Sequence, residues 1–150
     1  MREIRFRGKI IDTGEWVYGY YVHLKDTSRK PMKGRERVTH RIYTGMADTC
    51  AVSDGYDFSP SWYEVVPYTV GQCTGLYDKD GREIYEGDII KNCKGKIKLN
   101  NTFTLDNFEI FEVKYEDASF NISSLSLVTN YIKVIGDIYD NPEMLKGDEK

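Results

Sequence analysis

Five carboxylates fall within eleven residues of this chain: Asp78, Asp80, Glu83, Glu86 and Asp88. Such a density is the first place to look for a metal ion or a general acid–base pair. Asp78-Lys79-Asp80-Gly81 repeats the opening of a calcium loop, but the remaining oxygen ligands and the closing bidentate glutamate at position twelve are missing. Asp80 precedes Gly81 and Asp88 follows Gly87, and aspartate at such places bonds its own backbone. These acids are therefore assigned to turns, not to catalysis.

His23 and His40 are the two histidines, and Cys50, Cys73 and Cys93 the three cysteines. Their order has no zinc-like spacing, no CxxC and no H-x-x-x-H. A Cys–His nucleophile would have to be assembled by the fold, and no GxSxG, P-loop, GxGxxG or HExxH occurs. The expectation is a protein that is not an enzyme and holds neither cofactor nor metal. An odd number of thiols places it in a reducing compartment, the cytoplasm. The N-terminus lacks an apolar signal core, and no run reaches the ~18 apolar residues of a membrane span.

The third chemical feature is basic. Lys25, Arg29, Lys30, Lys33, Arg35, Arg37 and Arg41 stand against Asp26 and Glu36, a local charge of +5 on a chain of net −3. Phosphates would sit well there, with Tyr21 or Tyr43 beside them to stack a base. Nucleic acid is thus one expected partner. The other is protein, an acidic surface of a partner or of a second copy, since Asp106–Asp117 holds five acids against Lys114. The 12 tyrosines favour strands, and also interfaces, where the ring is buried and the hydroxyl stays wet. Protein–protein binding or self-association is the leading expectation, nucleic-acid binding the alternative.

The elements that position these residues read as short strands. Trp16, Tyr18, Tyr20, Val22 and Leu24 share one face at period 2, with Val17, Tyr21 and His23 on the other. With the run Ile4–Ile11 and the turn Asp12-Thr13-Gly14 they predict a hairpin, and Gly19 marks a bulge or close backbone approach. Lys25–Arg37 reads as a loop, Val38–Tyr43 as a strand, Thr44–Ser61 as an irregular excursion, and Trp62–Val66 as a strand ended by Pro67. Asp80-Gly81 predicts a type I′ turn, and Gly87-Asp88 a second tight turn before Ile89-Ile90. Lys96–Leu99, Phe108–Tyr115 with a bulge at Ile110-Phe111, Ser119–Val128 and Tyr131–Tyr139 complete the strands. Asn141-Pro142 predicts a capped single helical turn to Leu145. The class is mainly β, coiled antiparallel strands with little helix. At 150 residues it is one domain, with an internal division into 1–66 and 67–145 and a flexible tail at 146–150.

Three blocks resemble one family. Val70-Gly71-Gln72, Thr74-Gly75-Leu76, Asp78-Lys79-Asp80-Gly81 and Glu83-Ile84-Tyr85-Glu86-Gly87-Asp88-Ile89 form the central one, Val134-Ile135-Gly136-Asp137-Ile138-Tyr139-Asp140-Asn141-Pro142-Glu143 the last, and Glu3-Ile4-Arg5-Phe6-Arg7 the first. Together they resemble the YopX family, phage and prophage proteins without an established activity. Cys73 departs from the aromatic residue expected there, and residues 25–60 match little. The resemblance implies an SH3-like barrel element around Glu86-Gly87-Asp88. It gives Gly71, Gln72, Gly75, Asp80, Gly81, Glu86, Gly87, Asp88, Gly136, Asn141 and Pro142 a structural role, and implies no catalytic residue.

Overall fold

In the computed structural model, the structure describes residues 3–25, 38–46, 51–52, 55–56, 60–97, 103–122 and 132–146. The described elements are short antiparallel strands and two 3₁₀ turns, with no α-helix among the described residues. The chain is mainly β. It divides into two compact units, Met1–Gln72 and Cys73–Lys150.

The first unit is built on β1 (Phe6–Lys9), β2 (Trp16–Lys25), β3 (Val38–Met46) and β6 (Pro60–Glu64), ordered β6-β3-β2-β1. The predicted hairpin is present, with Lys9 opposite Trp16 and Phe6 opposite Gly19. Its turn is closed by the Gly14 N–H donating to the Ile10 carbonyl at 2.8 Å, with Gly14 at φ +72°. Tyr20 pairs with Tyr43 and Lys25 with Val38, while Tyr43 also pairs with Trp62. β4 (Ala51–Val52) and β5 (Gly55–Tyr56) form a separate small pair.

This sheet curls tightly around a small core of Val17, Ile42 and Val65, joined by Ile10 and Val70. A Cβ placed on Gly19 would lie 2.1 Å from the Tyr43 carbonyl oxygen, the close backbone approach expected at that position. A Cβ on Gly8 would press on Val65 and Ile42. An isolated bridge, Ile10 to Val65, draws the two ends of the sheet together. At this end the interior is filled by β-branched side chains and glycines, while the Tyr21 and Phe6 rings lie further along the same face, 5.5 Å apart. Trp16, Tyr18 and Tyr20 of β2 lie on the outer face, opposite the buried Val17 and Gly19.

The second unit centres on β9 (Asp88–Ile97), flanked by β10 (Phe103–Glu112) and β13 (Ile132–Asp137). β7 (Gly71–Tyr77) pairs through Gly71 and Gln72 with β1, and from Cys73 onward with β8 (Glu83–Tyr85). Ile84, Ile90, Val113, Phe120, Ile122, Ile132 and Val134 form the core, with Leu76 and Phe111 against it. β11 (Tyr115–Glu116) and β12 (Ser119–Phe120) make a hairpin fastened by the Tyr115 and Phe120 rings, 5.0 Å apart and edge to face.

Several local expectations change. The loop after β7 has three residues rather than the two of a type I′ turn: Asp78 and Arg82 close it, and only Gly81 has positive φ. This is the turn followed by a left-handed glycine that three-residue hairpins use. Two consecutive positive φ values occur instead at Asp117 (50°) and Ala118 (61°), the tip of β11–β12, where no glycine advertises the turn. Ile89-Ile90 and Lys96-Ile97 belong to one strand, β9. The bulge of β10 lies between Leu105 and Asn107, so Ile110 and Phe111 keep regular register opposite Lys91 and Ile90. Within the excursion 44–61, β3 runs on to Met46, and Pro60 opens β6, an edge strand where a missing N–H is tolerated.

The 3₁₀ turn Pro142–Leu145 forms as predicted, but the Asn141 side chain does not cap it. That side chain lies instead against Gly136, where any Cβ would meet its Oδ1 at 2.6 Å. Among the described residues, closure of the strands around Glu86-Gly87-Asp88 into an SH3-like barrel is not seen. The loop at 26–37, the turn at Asn100-Asn101, residues 123–131 and the tail 147–150 lie outside the described residues.

Candidate interaction surface

The carboxylates of the central stretch do not converge on a common point. Asp78 is buried, and its Oδ1 accepts the N–H groups of Asp80 and Arg82, both at 2.9 Å. Its Oδ2 accepts the Val134 N–H at 3.1 Å, so one side chain ties the β7–β8 loop to β13. Asp88 is fully buried and accepts the Tyr85 N–H at 2.8 Å, with the Arg82 guanidinium 4.0 Å away. Glu83 accepts from the Tyr85 hydroxyl at 2.7 Å. Gly87, at φ +82°, donates to the Val113 carbonyl and accepts from the Ile138 N–H, holding its turn between two other segments.

Asp80 is exposed and pairs with Lys79 at 2.6 Å and Lys133 at 3.6 Å. The hydrogen bond from Lys79 is the chief reason its carboxyl titrates below the ordinary value. The carboxylate that organises this hairpin is thus Asp78, and the sequence signal for it was present: an aspartate two residues before Asp80, in position for an Asx-turn. Asp137 plays a matching part, accepting the Tyr139 and Asp140 N–H groups at 2.9 Å just ahead of Asn141-Pro142.

Of the basic residues, Arg29, Lys30, Lys33, Arg35 and Arg37 lie outside the described residues. Lys25 and Arg41 are described, and the fold separates them. Lys25 pairs with Val38 on the face shared by His23 and Ile42, whereas Arg41 stands opposite Val22 and Glu64 on the other. Tyr21 belongs to the inner face, where its hydroxyl meets His40. Tyr43 belongs to the outer.

That outer face is the most distinctive surface of the first unit. Tyr20, Tyr43 and Trp62 are consecutive cross-strand partners on β2, β3 and β6, and the Tyr43 and Trp62 rings are 4.8 Å apart. Tyr18, Tyr20 and Trp62 are 43%, 46% and 43% exposed and stand outside the core. Charges of both signs frame the rings. The Arg7 guanidinium lies 4.4 Å and the Lys9 ammonium 5.4 Å from the Trp16 ring centre, both favourable cation–π placements. Glu3 accepts from the Tyr20 hydroxyl at 2.5 Å, which is the main cause of a Tyr20 pKa above the ordinary phenol value. Residues 1–72 hold eleven Lys/Arg against nine Asp/Glu, and residues 73–150 ten against fifteen, so the acids concentrate in the second unit and the unit that bears the aromatic face is slightly basic. The sequence displayed the Trp16-Tyr18-Tyr20 stripe but not its exposure, nor its extension across Tyr43 and Trp62.

The architecture is that of a mainly β protein of two antiparallel units, the first presenting an aromatic sheet face. A family model described as YopX protein matches residues 5–146, and the chain belongs to the YopX family. It is also similar to protein EF1440 from Enterococcus faecalis, known from a crystal structure. Identity is 24%, the TM-score 0.51, and the match covers 95% of this chain and 98% of that one, a likeness of fold. Comparison with curated proteins finds no match. No helix among the described residues is long and apolar enough to cross a membrane.

Proposed function

We propose that this chain is a phage or prophage accessory protein of the bacterial cytoplasm that works by protein–protein contact, chiefly self-association, and not by catalysis. The observation behind this reading is the outward aromatic face of the first unit, Tyr18, Tyr20, Tyr43 and Trp62, ending at the edge strand β6. Exposed aromatic clusters lose little conformational freedom on binding and bury much area, which is why they anchor interfaces. A second copy suits this face because its charges are mixed: Arg41 stands beside Glu64, and Lys9 and Glu3 flank the rings. A two-fold axis can set such a patch against itself with opposite charges meeting. The central acids support the non-catalytic half of the reading, since Asp78 and Asp88 are engaged by backbone amides.

Size-exclusion chromatography with light scattering at about 10 µM tests the proposal, this range being where a standard-sized interface holds. The wild type is expected to elute as an oligomer, and the double variant Tyr20→Lys/Trp62→Lys as a monomer with unchanged circular dichroism. A monomeric wild type overturns self-association. In parallel, salt-titrated binding of a labelled single-stranded oligonucleotide that weakens in the same double variant would move the assignment of this face to nucleic acid.

A further inference from the structure

The two histidines are separated by sixteen residues, yet the pairing of β2 with β3 sets them directly opposite one another. Their ring centres are 5.0 Å apart and the planes inclined at 43°. His23 is exposed and His40 half-buried, so solvent reaches the pair. A third side chain fixes one of them: the Tyr21 hydroxyl lies 2.5 Å from His40 Nδ1, and the two rings stack at 5.9 Å. Phe6 backs Tyr21 at 5.5 Å. In the tautomer whose Nδ1–H donates to the Tyr21 oxygen, His40 Nε2 carries the lone pair, the arrangement found behind histidine ligands in metal sites.

We propose that His23 and His40 form a two-imidazole site for a divalent first-row transition metal, with Tyr21 orienting His40. Nitrogen–metal bonds of about 2.0–2.1 Å place the two donor atoms within about 4 Å of each other. Ring centres 5.0 Å apart are compatible with that spacing, and the exposed His23 ring is free of the core that would hold it from turning. Among the described residues no group of three or more histidine, cysteine, aspartate or glutamate side chains is placed to hold an ion, so this pair supplies two ligands and water completes the shell. Two imidazoles without a carboxylate disfavour calcium and magnesium, which take oxygen ligands, and favour copper(II) first and nickel(II) and zinc(II) after it. The site stands apart from the outer aromatic face, because the pair lies on the opposite side of the β2–β3 ladder.

The test uses the full chain, free of any histidine tag and stripped of metal, titrated with copper(II) and separately with nickel(II). One ion per chain is expected, with a copper spin-resonance spectrum showing coupling to two imidazole nitrogens. His23→Ala and His40→Ala should each weaken uptake at least tenfold, and Tyr21→Phe should weaken it about tenfold while keeping the two-nitrogen signature. Absence of stoichiometric uptake by the wild type, or undiminished affinity in either alanine variant, overturns the proposal. A measurement on the unaltered protein serves if a variant fails to fold. Sub-stoichiometric nickel(II) should broaden the His23 and His40 ring resonances, and broadening confined to other residues would refute the site.

Discussion

Asp78 offers the sharpest test of how this chain holds together. Its carboxylate is buried and accepts three backbone N–H groups, two in its own loop and the third from Val134, 56 residues away. In Asp78→Ala the Val134 amide is left in the core without its acceptor, at about 1–3 kcal/mol, while water partly replaces the acceptor at the two loop amides, at about 0.5–1 kcal/mol each. The expected loss is therefore about 2–5 kcal/mol, a large part of the stability of a small unit. Asp78→Asn keeps one oxygen but must aim its NH₂ at an N–H donor, and should cost about 1–2 kcal/mol. Asp80→Ala removes only exposed ion pairs and should stay within about 0.5 kcal/mol. Urea unfolding of the three variants measures these differences, and hydrogen exchange at the Val134 amide reports the long-range bond directly. If Asp78→Ala lies within about 0.5 kcal/mol of wild type, or Asp80→Ala costs more than it does, the reasoning fails.

Two further predictions follow from backbone and side-chain detail. Ala118 sits at φ +61°, in a region that costs a residue with a Cβ roughly 1 kcal/mol; Ala118→Gly should therefore stabilise the β11–β12 hairpin by about 0.5–1 kcal/mol and raise the thermal midpoint, and a lower midpoint would count against that turn. Tyr20 and Tyr21 both have pKa values above the phenol value of 10.0, the first through its hydrogen bond to Glu3 and the second through burial. A raised folded-state pKa means the native protein holds its proton longer, so this contribution to stability is complete below pH 10 and declines as pH climbs past it. In an ultraviolet tyrosine titration, Glu3→Gln should bring one late-ionising tyrosine back toward the ordinary range, and an unchanged curve would refute the Glu3 contact.

Much of the architecture could be read from local signals. Alternating β2 residues with a glycine-bearing turn before them form a hairpin whatever lies nearby, because the strand period and the left-handed glycine at position 14 are properties of the chain itself. The turn bonding of the central acids was legible in part for the same reason. Asp88 beside Gly87 and Asp137 beside Gly136 bond near backbone amides, as a carboxylate at a turn can, whereas at Gly81 the bonds are made by Asp78 and not by the adjacent Asp80.

Other properties belong to the tertiary structure alone. Period-2 alternation assigns Tyr18 and Tyr20 to one side and Val17 and Tyr21 to the other, but does not say which side faces in. The packing of β2 on β3 and β6 decides, since Val17 is buried with Ile42 and Val65 and Gly19 lies against the Tyr43 carbonyl, while Tyr18 and Tyr20 stay exposed. The bond from Val134 to Asp78 and the meeting of His23 with His40 depend on which strands become neighbours and in what register. Local propensity carries no record of register, because a shift of one residue leaves every strand intact and turns every side chain to the opposite face.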